Sequence, residues 1–225
     1  MASQVNHFKE FATQAEYDAY IFPDDYPKPL VALVDETDTV MFPQGGGGGD
    51  CGNPILTSID VDDYSGGTTF NGLAQITEVE FPAGITTIDV ASFTDCKGLT
   101  SVSIPSGVTS IGQSAFANCY GLTSVSIPSG VTSIGNSAFN ACSSLTSIVF
   151  PSTLTSIGNS AFRNCGRLAS VTVNATTPPT SGTYVFNSTS ANLVIYVPAE
   201  SVETYKAANN WSTYASRIQA IPATP

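Results

Sequence analysis

A pattern of 23 residues recurs four times without a gap, and no other feature constrains the fold as much. Residues 99–121 read LTSVSIPSGVTSIGQSAFANCYG, 122–144 read LTSVSIPSGVTSIGNSAFNACSS, and 145–167 read LTSIVFPSTLTSIGNSAFRNCGR. A more diverged copy, ITEVEFPAGITTIDVASFTDCKG, fills 76–98, and a fifth unit opens at Leu168 with LASVTV before departing. In the copy at 99–121 the apolar positions are Leu99, Val102, Ile104, Val108, Ile111, Ala115, Phe116 and Cys119.

Val102-Ser103-Ile104 alternates and reads as a short strand with its apolar residues inward. Pro105 ends it by removing a backbone donor, and Ser106-Gly107 turns the chain. Val108 to Ile111 is a second extended run. Ser114-Ala115-Phe116 suits a helical or 3₁₀ turn that drops Phe116 into the core. One such coil cannot bury its apolar edge alone. Coils stacked at about 4.8 Å can, which predicts a repeat solenoid with short parallel β ladders, its handedness left open.

Hydrophobic residues make up 42% of the 225-residue chain, enough for a core. Charged residues make up 11%, against a usual value of about 25%. Net charge is −11, so a broad electrostatic grip on nucleic acid or anionic lipid is not expected. The one histidine, His7, leaves no material for most Ser-His-Asp, Cys-His or His-metal chemistry. Nothing approaches 18 consecutive apolar residues, so no membrane span is expected. Met1 to Glu10 lacks the basic start and apolar core of a secretory signal, and export by the general secretory route is not expected.

Residues 1–44 differ in composition; through Asp50 there are nine acidic and two basic residues. Thr13-x-x-Glu16 is a capping-box pattern and predicts a short helix to about Tyr20. Leu30–Val34 and Thr39–Phe42 read as strands of a hairpin turning at Asp35-Glu36-Thr37-Asp38. Gly45–Gly49 is a pentaglycine run, and residues 45–50 read as a hinge. The expected organisation is an acidic N-terminal anchor at 1–44, the hinge, an N-terminal cap at 51–75, repeats at 76–173 and a C-terminal cap at 174–225. In that last cap Leu193–Val197 reads as a strand and Ala199–Ala208 as a helix, with Trp211, Tyr214 and Ile218 sealing the final coil.

The motifs L-x-x-V-x-I-P, V-x-x-I-G and A-F-x-x-C resemble the BspA-like (Treponema-type) leucine-rich repeat, closely over 76–167 and loosely to the C-terminus. The resemblance implies a surface for recognition or adhesion, implies no catalysis and names no ligand. Phe11, Thr13, Glu16, Tyr17, Asp18, Ala19 and Tyr20, then Val31, Leu33, Val34, Glu36, Thr37, Val40 and Phe42, resemble a segment of gut Bacteroidales phage and prophage virion proteins. That resemblance implies an N-terminus that docks on virion structural proteins. So short a segment lacks a core of its own, and Phe11, Tyr17, Tyr20, Phe22 and Tyr26 are the expected docking aromatics.

Cys96, Cys119, Cys142 and Cys165 recur every 23 residues and form a ladder inside the solenoid. Disulfides, a bound metal and buried free thiols are the three readings of such a ladder. Parallel side chains on a linear ladder favour free thiols, because such a ladder cannot surround an ion. Asp60, Asp62 and Asp63 read as a solvated capping edge rather than a calcium site. From Leu99 to Phe162 there is no Asp, Glu, Lys or Arg. Thr100, Ser101, Ser103, Thr123, Ser124 and Ser126 stack there as outward hydroxyl rows, a candidate face for a bacterial glycan or protein, or for further copies of the chain. The expected function is non-enzymatic, with no cofactor: a virion fibre or decoration protein that attaches to the host surface, or alternatively a bacterial cell-surface adhesin.

Overall fold

The computed structural model describes residues 84–223 continuously, together with 33–34, 40–41, 58–60, 72 and 76–81. The expected helix from Thr13, the hinge at 45–50 and most of the 51–75 cap lie outside the described residues. The chain divides into two compact units, Met1–Leu56 and Thr57–Pro225. In the first, β1 (Leu33–Val34) and β2 (Val40–Met41) pair antiparallel, Leu33 opposite Met41. They lie within the two runs expected to form a hairpin.

The second unit is a solenoid. Its long ladder runs through β3 (Ser58–Asp60), β4 (Glu78–Glu80), β6 (Ser101–Ser103), β8 (Ser124–Ser126), β10 (Ser147–Phe150), β12 (Ser170–Val173), β14 (Val194–Val197) and β15 (Ile218–Ala220). Hydrogen-bonded pairing gathers these as β3-β4, β6-β8 and β10-β12-β14-β15, all parallel. A second ladder of two-residue strands joins β5 (Thr87–Ile88), β7 (Ser110–Ile111), β9 (Ser133–Ile134), β11 (Ser156–Ile157) and β13 (Thr180–Ser181). Register follows the repeat: Ser101 faces Ser124, and Ile111 faces Ile134. Strands alternate exposed serine with buried Val102 or Val125, the period-two pattern of a half-buried strand. The fifth unit closes a full coil despite leaving the motif after Val173, through β12, β13 and the buried Phe186.

The third side of each coil is neither helix nor 3₁₀ turn, contrary to the reading of Ser114-Ala115-Phe116. Ser114 and Asn118 have φ of 56° and 61°, and Ser137, Ala141, Ser160 and Asn164 repeat this left-handed backbone. A left-handed residue at every fourth position leaves every second N–H for the next coil. Ser114, Phe116 and Asn118 donate to the carbonyls of Asn136, Ala138 and Asn140 at 2.7–2.9 Å. The interleaved N–H groups of Ala115, Ala117 and Cys119 close four-residue turns on the carbonyls of Gly112, Ser114 and Phe116. Inter-coil bonding outweighs the local cost of the left-handed residues.

Inside this ladder the phenylalanines stack. Phe93, Phe116, Phe139 and Phe162 lie 5.2–5.3 Å apart between ring centroids, within 12° of parallel. Phe186 continues the column at 5.9 Å. The C-terminal cap closes it: Tyr214 meets Phe186 edge-on at 5.5 Å, and Trp211 and Tyr205 are buried beside it. Trp211 and Tyr214 thus seal the last coil as expected. The cap helix is split into a 3₁₀ turn, Ala199–Ser201, and an α-helix, Val202–Ala207.

Candidate ligand surfaces of the solenoid

Cys96, Cys119, Cys142 and Cys165 are fully buried, and none of them is in a disulfide. Cys119, Cys142 and Cys165 donate their S–H groups to the carbonyls of Phe93, Phe116 and Phe139 at 3.1–3.2 Å. Burial pushes the Cys119 and Cys142 thiols well up, neighbouring ladder thiols adding to it, and takes Cys165 to about 12. Such groups stay protonated and unreactive at neutral pH. No cluster of His, Cys, Asp or Glu able to hold a metal occurs among the described residues.

The hydroxyl face divides in two. Ser101, Ser103, Ser124 and Ser126 are exposed on β6 and β8, in two registered rows. Thr100 and Thr123 are exposed as well, but their hydroxyls donate to the carbonyls of Thr77 and Thr100 at 3.2 and 3.0 Å. Thr109, Thr132 and Thr155 do the same along the second ladder, at 2.9–3.2 Å. These threonines tie coil to coil, which leaves the serines as the open part of that face. Phe11, Tyr17, Tyr20, Phe22 and Tyr26, together with Cys51, Asp62 and Asp63, lie outside the described residues.

A second surface went unread in the sequence. A shallow groove of about 550 Å³ runs along the two-residue ladder, across four coils. Its floor includes Gly112, Gly135 and Gly158. A Cβ at Gly135 would stand 2.6 Å from the Gln113 nitrogen, and one at Gly158 would run into the Asn136 nitrogen. Coils therefore approach closely here only because no side chain intervenes. One wall carries Ser110, Ser133 and Ser156; the other carries Gln113, Asn136 and Asn159. Asn136 accepts the Asn159 N–H on its Oδ1, and Asn159 accepts the Thr183 N–H, both at 2.8 Å. That fixes which way each amide points and turns its NH₂ away from the backbone. The signal was present in the sequence as the I-G-Q and I-G-N that follow each second strand. Its meaning depends on the distance between coils.

Two asparagines tie the C-terminal cap to the last coil. Asn187 Oδ1 accepts from the Tyr214 hydroxyl at 3.3 Å, and Asn210 donates to the Ser181 carbonyl. No helix among the described residues is long and apolar enough to cross a membrane.

Comparison with known proteins agrees with this architecture. A leucine-rich repeat protein of T. pallidum is 34% identical over 54% of this chain and 58% of its own, with a TM-score of 0.50. A leucine-rich repeat protein of Eubacterium ventriosum is 30% identical over 56% of this chain and 33% of its own, with a TM-score of 0.48. A leucine rich cell surface protein of Faecalibacterium prausnitzii is 27% identical over 64% of this chain and 36% of its own, with a TM-score of 0.49. The chain thus covers less than two thirds of the length of each. No curated protein matches it. Residues 65–193 match the BspA type leucine rich repeat region in six copies, and with more than half of its length in that match the chain belongs to this family.

Proposed function

We propose that this is a non-enzymatic attachment protein: the solenoid recognises a bacterial surface, and residues 1–44 hold it on its carrier. The observation that carries the reading is the uncharged stretch from Leu99 to Phe162, folded into rigid coils with outward rows of serine and amide side chains. Its ladder thiols are buried, and among the described residues no buried side-chain nitrogen or oxygen lacks a hydrogen-bond partner. A surface of this kind suits selective contact rather than covalent chemistry. The proposed carrier is a phage particle, supported by the N-terminal residues from Phe11 to Tyr20 and Val31 to Phe42. A second reading is a bacterial cell-surface adhesin, supported by the family, whose repeats imply recognition or adhesion.

Two measurements test the proposal. Labelled full-length protein is expected to bind bacterial cells saturably, and the absence of binding across gut bacterial strains rejects the attachment role. Deleting 1–44, or replacing Phe11, Tyr17 and Tyr20 together by Ala, is expected to abolish co-purification with particles while cell binding persists. Co-purification of the truncated protein would move docking into the solenoid. Failure of the intact protein to co-purify would replace the particle by the adhesin reading.

A further inference from the structure

We infer that the groove along the two-residue ladder is a binding cleft for an extended, uncharged, β-linked glycan lying along the solenoid axis with one sugar per coil. The inference rests on the attachment role and names the ligand class. Four features of the groove point to it.

The first is its hydrogen-bonding row. The amide groups of Asn136 and Asn159 are held at their oxygens by backbone N–H donors, so their NH₂ groups are rigidly presented once per coil. Both residues are exposed, and among the described residues their amide nitrogens make no hydrogen bond. Fixed donors lose little entropy when a ligand hydroxyl or ring oxygen accepts from them.

The second is the repeat. Coils paired along this ladder recur at about 4.8 Å. That advance is close to the length of one pyranose unit in an extended β-linked chain. An extended polypeptide advances by about 3.3 Å per residue and falls out of step within two coils.

The third is charge. The groove-lining residues carry no ionisable group. A sulfated or uronic-acid polymer would find no cation to offset its desolvation, whereas a neutral one loses nothing by their absence.

The fourth lies at the ends of the amide row. Ser114, Ser137 and Ser160 donate their N–H groups to Asn136, Asn159 and Thr183, and Ala91 donates to Gln113. The row therefore reads Val90, Gln113, Asn136, Asn159, Thr183. Val90 is 60% exposed at one end. Tyr184, the residue after Thr183, is 61% exposed at the other. Tyr184 takes the left-handed position filled by serine in the preceding coils, with φ of 60°. A bulky aromatic held in that conformation and left in solvent has no packing reason to be there. The apolar face of a sugar ring supplies one, because aromatic rings stack against it.

The experiment measures binding of the full chain to a panel of neutral β-linked hexasaccharides of glucan, xylan, mannan and chitin type, with a uronic-acid oligosaccharide as the charged comparison. At least one neutral member is expected to bind saturably, and the charged one is not. Tyr184→Gly relieves the left-handed strain, so it is expected to weaken binding by about tenfold or more without lowering the melting temperature. Ser156→Arg, which places a long cation on the groove wall, is expected to do at least as much. Failure of every neutral oligosaccharide to bind, preference for the charged one, or indifference to both substitutions overturns the inference. If the protein binds cells but no oligosaccharide, the glycan cleft falls and the attachment role stands. If it binds neither, both fall.

Discussion

The central coils and the C-terminal cap solve the same problem by different means. In residues 99–167 each coil satisfies its backbone with the backbone of the next. The N–H groups of Ser114, Phe116 and Asn118 find carbonyls one coil on, and the glycine column lets the chains approach. At the last coil β15 still pairs with β14, but elsewhere side chains take the part of the next coil's backbone. Tyr214 Oη accepts the Phe186 N–H at 3.1 Å, Tyr205 donates to the Ala175 carbonyl at 2.7 Å, and Trp211 Nε1 donates to the Pro179 carbonyl at 2.8 Å. Arg217 reaches the Ser190 carbonyl at 3.0 Å. The repeats are interchangeable because their partners are copies of themselves. The cap is not, because each of its bonds is made once by one residue.

The largest expected effect separates these regions directly. Deleting residues 122–144 joins Gly121 to Leu145, which opens the next copy of the same motif, so a shorter solenoid should remain monomeric and melt cooperatively. Truncation after Asn192 removes Tyr205, Trp211 and Tyr214 and bares Val185 and Phe186. That protein is expected to aggregate, as size-exclusion chromatography would report. If the truncated chain stays monomeric while the coil deletion aggregates, the comparison is reversed.

Within the repeats the phenylalanine column should be the most costly side chain to lose. Phe139 is fully buried between Phe116 and Phe162. Phe139→Ala is expected to cost about 3–5 kcal/mol in denaturant unfolding. A loss below about 1 kcal/mol would mean that neighbouring coils collapse into the gap.

The thiol ladder gives the repeats an alkaline liability that the cap shares only through its tyrosines. An unfolded thiol ionises near its ordinary value of 9.0, while burial holds Cys119, Cys142 and Cys165 above it. Their protonated burial stabilises the fold below pH 9. Stability is lost as pH rises from 9 toward the folded values, because the unfolded chain then binds fewer protons. Each thiol contributes a slope of up to about 1.4 kcal/mol per pH unit. Cys165→Ala should remove one such slope between pH 9 and about 12. Thiol titration should find these groups unreactive in the native protein at neutral pH and free after denaturation.

Much of this was legible in the sequence because a 23-residue period fixes which residues stack. Phe116 and Cys119 fall inward, Ser101 and Ser124 fall outward in register, and Trp211 and Tyr214 lie where a last coil must be covered. What escaped depends on the distance between coils rather than on any one coil. Nothing about Ser114 announces a left-handed backbone, since the gain comes from an N–H reaching Asn136. Thr100 and Thr123 read as free hydroxyls until stacking brings each to the carbonyl of the previous coil. The groove required both lessons: glycines placed for close approach, and amides whose oxygens the neighbouring coil occupies.

The finest test compares one hydroxyl from each region. Thr132 donates through Oγ1 to the Thr109 carbonyl at 3.2 Å, but its own N–H already reaches that carbonyl at 2.8 Å. Thr132→Val therefore leaves no group unsatisfied. Valine also suits extended backbone, so the change should cost less than about 0.5 kcal/mol. Tyr214→Phe removes the acceptor of the buried Phe186 N–H while keeping the ring that packs on Phe186 at 5.5 Å. The orphaned donor should cost about 1–3 kcal/mol. Hydrogen exchange at the Phe186 amide should accelerate, whereas the Phe162 amide, which donates to the Val185 carbonyl at 3.0 Å, should hold its protection. Equal costs for the two substitutions would mean that water replaces the tyrosine hydroxyl at the end of the ladder. The cap would then act by covering apolar surface alone, and its hydrogen bonds would be as dispensable as the threonine rows.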